Sequence, residues 1–305
     1  MTGNALLSTV NMNGAPLSDL ELARLEYPGT PDAQLVIELA QRTLDELAME
    51  PPVSHKIIAS MRDIDQIEET DLPWAGCLVR DGDRFVIKLR AADTRGKKRF
   101  TAFHEVKHTY MPGFALAPQY RCDPATPPDV ARDRDPGLEA LCDLGAVELL
   151  LPRRHFLNDL DGNTPTLTLA SQLAERYDAS LEATARRIVT LRPTPTLLIA
   201  LEPSCTASAP HDEPKLRVKR AYRNAGWPFI PPNKSVPPGS ILTSPLSGEA
   251  VNEVSTLTGL TATPIGPVHI SADLYPYTDD QGDQHMRVLA LITPVSQPGQ
   301  HHHAA

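Results

Sequence analysis

Thirty prolines in 305 residues set the first limit on what this chain can fold into. Proline fixes φ and removes an amide donor, so it is kept out of helix interiors and central strands. The prolines gather near the N-terminus, over 112–136 and after 193. Much of the chain must therefore be loop or edge strand. The length still suffices for two domains, or three small ones. With 41% hydrophobic and 22% charged residues, the composition is that of a globular chain with a buried core.

A net charge of −9 repels a phosphate backbone, so nucleic-acid contact would need a local basic patch. Cys77, Cys122, Cys142 and Cys205 lie far apart with no CxxC pair, which argues against both a cysteine zinc finger and a dense disulfide framework. No apolar run approaches the ~18–20 residues needed to span a bilayer, so no membrane partner is expected. The first 26 residues lack a basic stretch followed by an apolar one, so no secretory signal is expected and a reducing cytoplasm is the default location.

Residues 1–30, punctuated by Gly and Pro, read as a flexible N-terminus. Leu35, Val36, Leu39, Ala40, Leu44 and Leu47 form a helical stripe over 32–49, ended by Pro51-Pro52. Alternation over 75–80 and 84–89 around Asp81-Gly82 predicts a β-hairpin. A helix is predicted over about 96–111, then a polar, proline-rich loop, then a helix over 138–151 stopped by Pro152. Residues 166–191 read as two short helices broken at Asp178-Ala179-Ser180. After Pro193 and Pro195, short alternating runs (197–201, 216–218, 268–270, 287–293) predict a small β-rich domain.

The chemistry lies in His104-Glu105-Val106-Lys107-His108. On a helix, positions i and i+4 share a face, so both imidazoles reach one tetrahedral cation. Glu105 is turned by about 100° from the first imidazole, close enough to take a proton from a water at the metal without ligating it. A catalytic zinc needs a third protein ligand and one open position. No third His follows at metzincin spacing. Pro112-Gly113 intervenes, and the next histidine is His155. The candidates are the acids of GLEALCDLGAVELLLP (137–152), namely Glu139, Asp143 and Glu148. Glu139 and Asp143 lie one turn apart on one face. One ligates while the other orients a histidine, and the pattern does not choose between them.

RFTAFHEVKHTYM, followed some 30 residues later by LEALCDLGAVELLLP, resembles the ImmA/IrrE family of gluzincin-like metallopeptidases. The resemblance implies Zn2+ held by His104, His108 and Glu139, with Glu105 as catalytic base and Asp143 behind the ligands. Such a ligand set also accepts Mn2+. The implied fold is α+β: a zincin-like (gluzincin) peptidase domain at 31–160, a helix-turn-helix-like region at 161–193, a β-rich, GAF-like domain at 194–297 and a tail at 298–305. The implied activity is cleavage of a cognate XRE-type helix-turn-helix repressor, which derepresses a DNA-damage, radiation-response or mobile-element regulon. Two departures from the family pattern are Lys107, where a small residue is usual, and a longer proline-rich insert before Glu139.

A competing expectation is a non-catalytic metal-binding transcriptional regulator that acts through its helix-turn-helix-like and GAF-like regions. Glu105 separates the two, because a structural metal site has no need of an acid there. Direct DNA binding is not expected. Arg186, Arg187 and Arg192 are nearly cancelled by Glu175, Asp178 and Glu182, which favours a packing element or a repressor-recognising surface. Lys215, Arg217 and Lys219 make one basic face of a solvated edge strand. Cys142 reads as a small buried thiol. His155 and Tyr120 are candidate oxyanion donors, while Tyr110 should point away from the metal. The hairpin at 75–90 offers an edge for strand addition by a peptide substrate.

Overall fold

The computed structural model describes residues 16–114, 119–122, 136–205, 213–261, 264–278 and 283–295, with the side chains of 119–122 outside that description. Residues 1–15 of the expected flexible N-terminus, and the 298–305 tail, lie outside the described residues. The chain is mixed α+β and divides into two compact units, Met1–Phe156 with Arg176–Ala179, and Leu157–Glu175 with Ser180–Ala305.

In the first unit, Ser18 opens α1 (Asp19–Glu26) with a reciprocal cap. Its Oγ accepts from the Glu21 N–H at 3.2 Å, and its own N–H donates to Glu21 Oε2 at 2.8 Å. Leu20 and Ala23 are buried by this helix. The expectation of a flexible segment is corrected over these residues, because a capping box and two buried apolar side chains hold a helix that the surrounding Gly and Pro obscured. Helix α2 (Asp32–Glu46) buries Leu35, Val36, Leu39, Ala40 and Leu44, the stripe read from periodicity. It packs against α1 and against α5 (Pro136–Leu150).

A four-stranded sheet combines β1 (Ile64–Thr70), β2 (Gly76–Asp81), β3 (Arg84–Arg90) and β4 (Gln119–Cys122) in the order β1-β3-β2-β4. The β2–β3 hairpin forms as predicted, turning at Gly82 with φ +61°. It does not present the free edge expected for strand addition. β4 pairs with Gly76–Val79 of β2, and β1 runs parallel to β3, so the edges belong to β1 and β4. Helices α3 (His55–Ser60) and α4 (Arg95–His108) complete the helical layer of this unit, with α4 packed on β2, β3 and α5. Helix α6 (Arg153–Leu160) begins right after Pro152.

Helices α7 (Leu167–Tyr177) and α8 (Leu181–Leu191) fall where two short helices were predicted, broken at Asp178, which adopts φ +52°. The second unit is built on β5 (Leu197–Ser204), β6 (Lys215–Arg223), β7 (Val251–Leu257), β8 (Ile265–Thr278) and β9 (Gln284–Pro294), in the order β6-β5-β9-β8-β7 and antiparallel throughout. Strands β5 and β9 are buried on both faces along Leu197–Leu201 and Val288–Ile292, and one of those faces forms the main core. Leu197, Ile199 and Leu201 pack with Val268, Ile270, Val288 and Ile292 under Trp227 and Leu242. Helix α8 packs on β5 and β6, and the Leu167 N–H at the start of α7 donates to Ser271 Oγ of β8 at 2.9 Å.

Candidate metal centre

From Thr101 to His108, every residue of α4 is buried. Ala102, Phe103 and Val106 give the apolar reason. His104, Glu105, Lys107 and His108 are no more than 2% exposed although they are polar, and such burial is costly unless charge and hydrogen bonds are met inside. The end of the helix is pinned just beyond His108. Arg62 donates from Nη2 to the Thr109 carbonyl at 2.8 Å and from Nε to Thr109 Oγ1 at 2.9 Å, and the Leu20 N–H of α1 donates to the Tyr110 carbonyl at 3.1 Å.

The two imidazoles converge from i and i+4, with Nε2 to Nε2 at 3.2 Å. Glu139 in the first turn of α5 meets them. Its Oε2 is 3.1 Å from His104 Nε2 and its Oε1 is 3.8 Å from His108 Nε2. These residues form the one His/Cys/Asp/Glu cluster with metal-ligand spacing among the described residues, all donor atoms lying within 4.8 Å of one another. Donors bound at ~2.0–2.2 Å around one tetrahedral ion sit about 3.3 Å apart, so the spacing fits a zinc-sized cation.

The acids that the sequence left undecided now part company. Asp143, one turn after Glu139, lies on the far side of the ring, with Oδ1 at 2.8 Å from His104 Nδ1. A carboxylate there favours the Nδ1–H tautomer, which leaves Nε2 free to ligate where the three donors converge. Glu148 is used elsewhere, accepting from the Arg153 N–H at 2.7 Å and Gln41 Nε2 at 3.3 Å. His108 Nδ1 faces Cys142 Sγ at 3.5 Å. Burial, helped by the charges of Glu139 and Glu105, pushes the Cys142 thiol up to about 12. It is thus a neutral buried thiol, as expected, but it also orients a ring. That contact was legible only as spacing, because Cys142 sits three residues after Glu139 on the same helix face.

Glu105, which follows His104 on α4, is fully buried. Tyr110 turns toward α2, its hydroxyl 3.1 Å from Thr43 Oγ1. His155 does not join the site residues, since its Nδ1 pairs with Glu50 at 3.4 Å. The side chain of Tyr120, the other candidate oxyanion donor, lies outside the described residues.

The basic residues of the α7–α8 stretch are engaged locally. Arg187 is buried, Arg186 lies over the Tyr222 ring at 4.4 Å, and Arg192 donates to the Asn163 carbonyl at 3.1 Å. Glu182 accepts from Arg287 at 2.6 Å. On β6, Arg217 donates to the carbonyls of Ser204 and Asn233 at 3.1 and 3.0 Å, while Lys219 reaches Glu202 at 3.6 Å.

The fold defines a two-part α+β protein with a sheet-rich C-terminal region and a His/His/Glu cluster in its first unit. No family model matches the chain, and no curated protein matches it. Among solved structures, it is similar to a Mycobacterium tuberculosis transcriptional regulator, at 16% identity and a TM-score of 0.53, covering 85% of this chain and 76% of that one. That likeness is one of fold. No helix among the described residues is long and apolar enough to cross a membrane.

Proposed function

We propose that this protein is a zinc-dependent endopeptidase of the ImmA/IrrE type that cleaves a helix-turn-helix repressor. The observation that carries this reading is the convergence of His104, His108 and Glu139 on one point, with Glu105 buried on the same helix as the two histidines. Helix α4, packed on a mixed sheet and against α5, supports a zincin-like first unit, and the five-stranded antiparallel sheet supports a GAF-like second unit. A zinc ion held by these residues would polarise a peptide carbonyl and lower the pKa of a water toward about 7. Glu105 accepts the proton of that water and returns it to the leaving amine. Asp143 and Cys142 hold the imidazoles in register, and α1 with Arg62 fixes the end of the helix that carries them.

Zinc in hundredfold excess over its dissociation constant is expected to stabilise the protein by about 2.7 kcal/mol, read as a rise in melting temperature. Glu139→Gln should abolish that rise. Asp143→Ala, at a site whose side chain is 57% exposed and so tolerant of truncation, should keep the fold and lower zinc affinity roughly 10–100-fold in a competition titration against a chromophoric chelator. The decisive assay incubates the zinc-loaded chain with a candidate XRE-type repressor and reads a single new N-terminus by mass spectrometry. Repressor left intact by a folded preparation carrying one zinc per chain defeats the reading. The solved structure of similar fold carries the name of a transcriptional regulator, which suits the competing reading of a non-catalytic regulator. That reading requires transcriptional output to survive loss of Glu105.

A further inference from the structure

Helix α4 opens on Arg95-Gly96-Lys97-Lys98-Arg99. The first amides of a helix have no intrahelical acceptor and carry partial positive charge, so acids are favoured there and cations are not. This first turn holds no acid, and the N-cap residue Thr94 makes no side-chain capping bond. Negative charge arriving from outside the helix stabilises such a start. Part of it comes from the chain itself. Asp178 accepts from Arg95 Nε at 2.8 Å and from Nη2 at 2.6 Å, and Glu69 pairs with Lys98.

Those two carboxylates do not balance the cations around them. A cavity of about 470 Å3 opens at this end of α4, lined by Lys56, Arg95, Lys98 and Arg99 against Glu69 and Asp178. The surplus is two positive charges, in a chain whose net charge is −9. Arg99 is 7% exposed. Its Nη2 donates to the Val53 carbonyl at 2.9 Å, while its Nε lies 3.4 Å from Asp178 Oδ2 and has no hydrogen-bond acceptor among the described residues. Lys56 on α3 is exposed and makes no ion pair among the described residues. Burial, reinforced by the Arg99 charge, holds His55 down to about 4, so its ring adds no charge. Ile67 and Leu89 supply an apolar wall.

We propose that this cavity is a binding site for a phosphate group, seated between Lys56, Arg95 and Arg99 at the N-terminus of α4. A further carboxylate is the weaker match. Asp178 already gives one to the Arg95 fork and reaches Arg99 Nε only at ion-pair distance, 3.4 Å, while Lys56 has no carboxylate partner among the described residues. A phosphate brings more acceptor oxygens and more charge, and suits helix amides and guanidinium donors together. The volume falls in the range of small-molecule sites. Ile67 and Leu89 suit the uncharged part of a phosphate ester. The site begins nine residues before His104 and does not depend on the peptidase reading.

The test is titration calorimetry of the full chain with inorganic phosphate and with AMP, at matched ionic strength. Saturable binding is expected for both. Tighter binding of AMP assigns the site to phosphate esters, and equal binding assigns it to the free anion. Lys56→Gln and Arg95→Gln, both at exposed side chains, should each weaken binding roughly tenfold. Asp178→Asn keeps a residue tolerant of positive φ and removes the competing carboxylate, so it should tighten binding. Lys219→Gln on β6 should change nothing. The proposal is overturned by an absence of saturable binding at millimolar ligand, by unchanged affinity in the Lys56 and Arg95 variants, or by weaker binding in Asp178→Asn.

Discussion

Glu105→Gln is expected to bind zinc like the wild type and to cleave the repressor roughly 10²–10⁴-fold more slowly. The amide has the shape of the carboxylate it replaces, at a position with no exposure, so no cavity opens and no packing is lost. The donor cluster is His104, His108 and Glu139, so the substitution leaves every candidate ligand in place. What it removes is an acceptor for a proton. The loss should therefore fall on kcat with KM little changed, the pattern for an interaction made only in the transition state. Two measurements on one preparation suffice: zinc content, and single-turnover cleavage followed on gels. Wild-type cleavage by a fully zinc-loaded variant would remove the peptidase assignment. Wild-type regulatory output with no cleavage by either protein would favour the regulator instead.

Local pattern carried much of this structure, and failures came where a distant segment intervenes. The α2 stripe, the hairpin, the break between α7 and α8 and the runs of β5, β6, β8 and β9 all follow from periodicity and turn residues within a short window. The two histidines were legible because a helix fixes their spacing. Periodicity alone did not choose between Glu139 and Asp143, because both share one face of α5, and Glu139 was named only through the family resemblance. Only the distance from each oxygen to the two ring nitrogens of His104 separates them, at 3.1 Å to Nε2 and 2.8 Å to Nδ1. The hairpin edge was misread for the same reason. β4 arrives more than 35 residues later, from a proline-rich stretch with no strand signature of its own. Helix α1 was missed because its eight residues give little periodicity, although Ser18 and Glu21 spell a capping box.

Gly145→Val is expected to destabilise the protein by about 3 kcal/mol and to weaken zinc binding with it. The reason begins with Lys107, which stands where the family resemblance calls for a small residue. Its side chain is fully buried between helices, with Nζ 3.6 Å from the centre of the Tyr110 ring and no hydrogen-bond acceptor among the described residues. Burial pushes its ammonium down to about 7. The stem needs room, and α5 supplies it with a glycine. A Cβ at Gly145 would overlap Lys107 Cε and lie 2.9 Å from Val36 Cγ1. Lys107 therefore faces the α4–α5 and α2 packing, and the small residue has moved to the partner helix. Because α4 carries His104 and His108 while α5 carries Glu139 and Asp143, a side chain that pries the helices apart also separates the donors. Lys107→Ala should empty the space that the introduced valine side chain would fill, so the two changes together should cost less than their sum by more than about 1 kcal/mol. Chemical denaturation of the four proteins measures this coupling. Strict additivity would mean that Lys107 and Gly145 do not share that space.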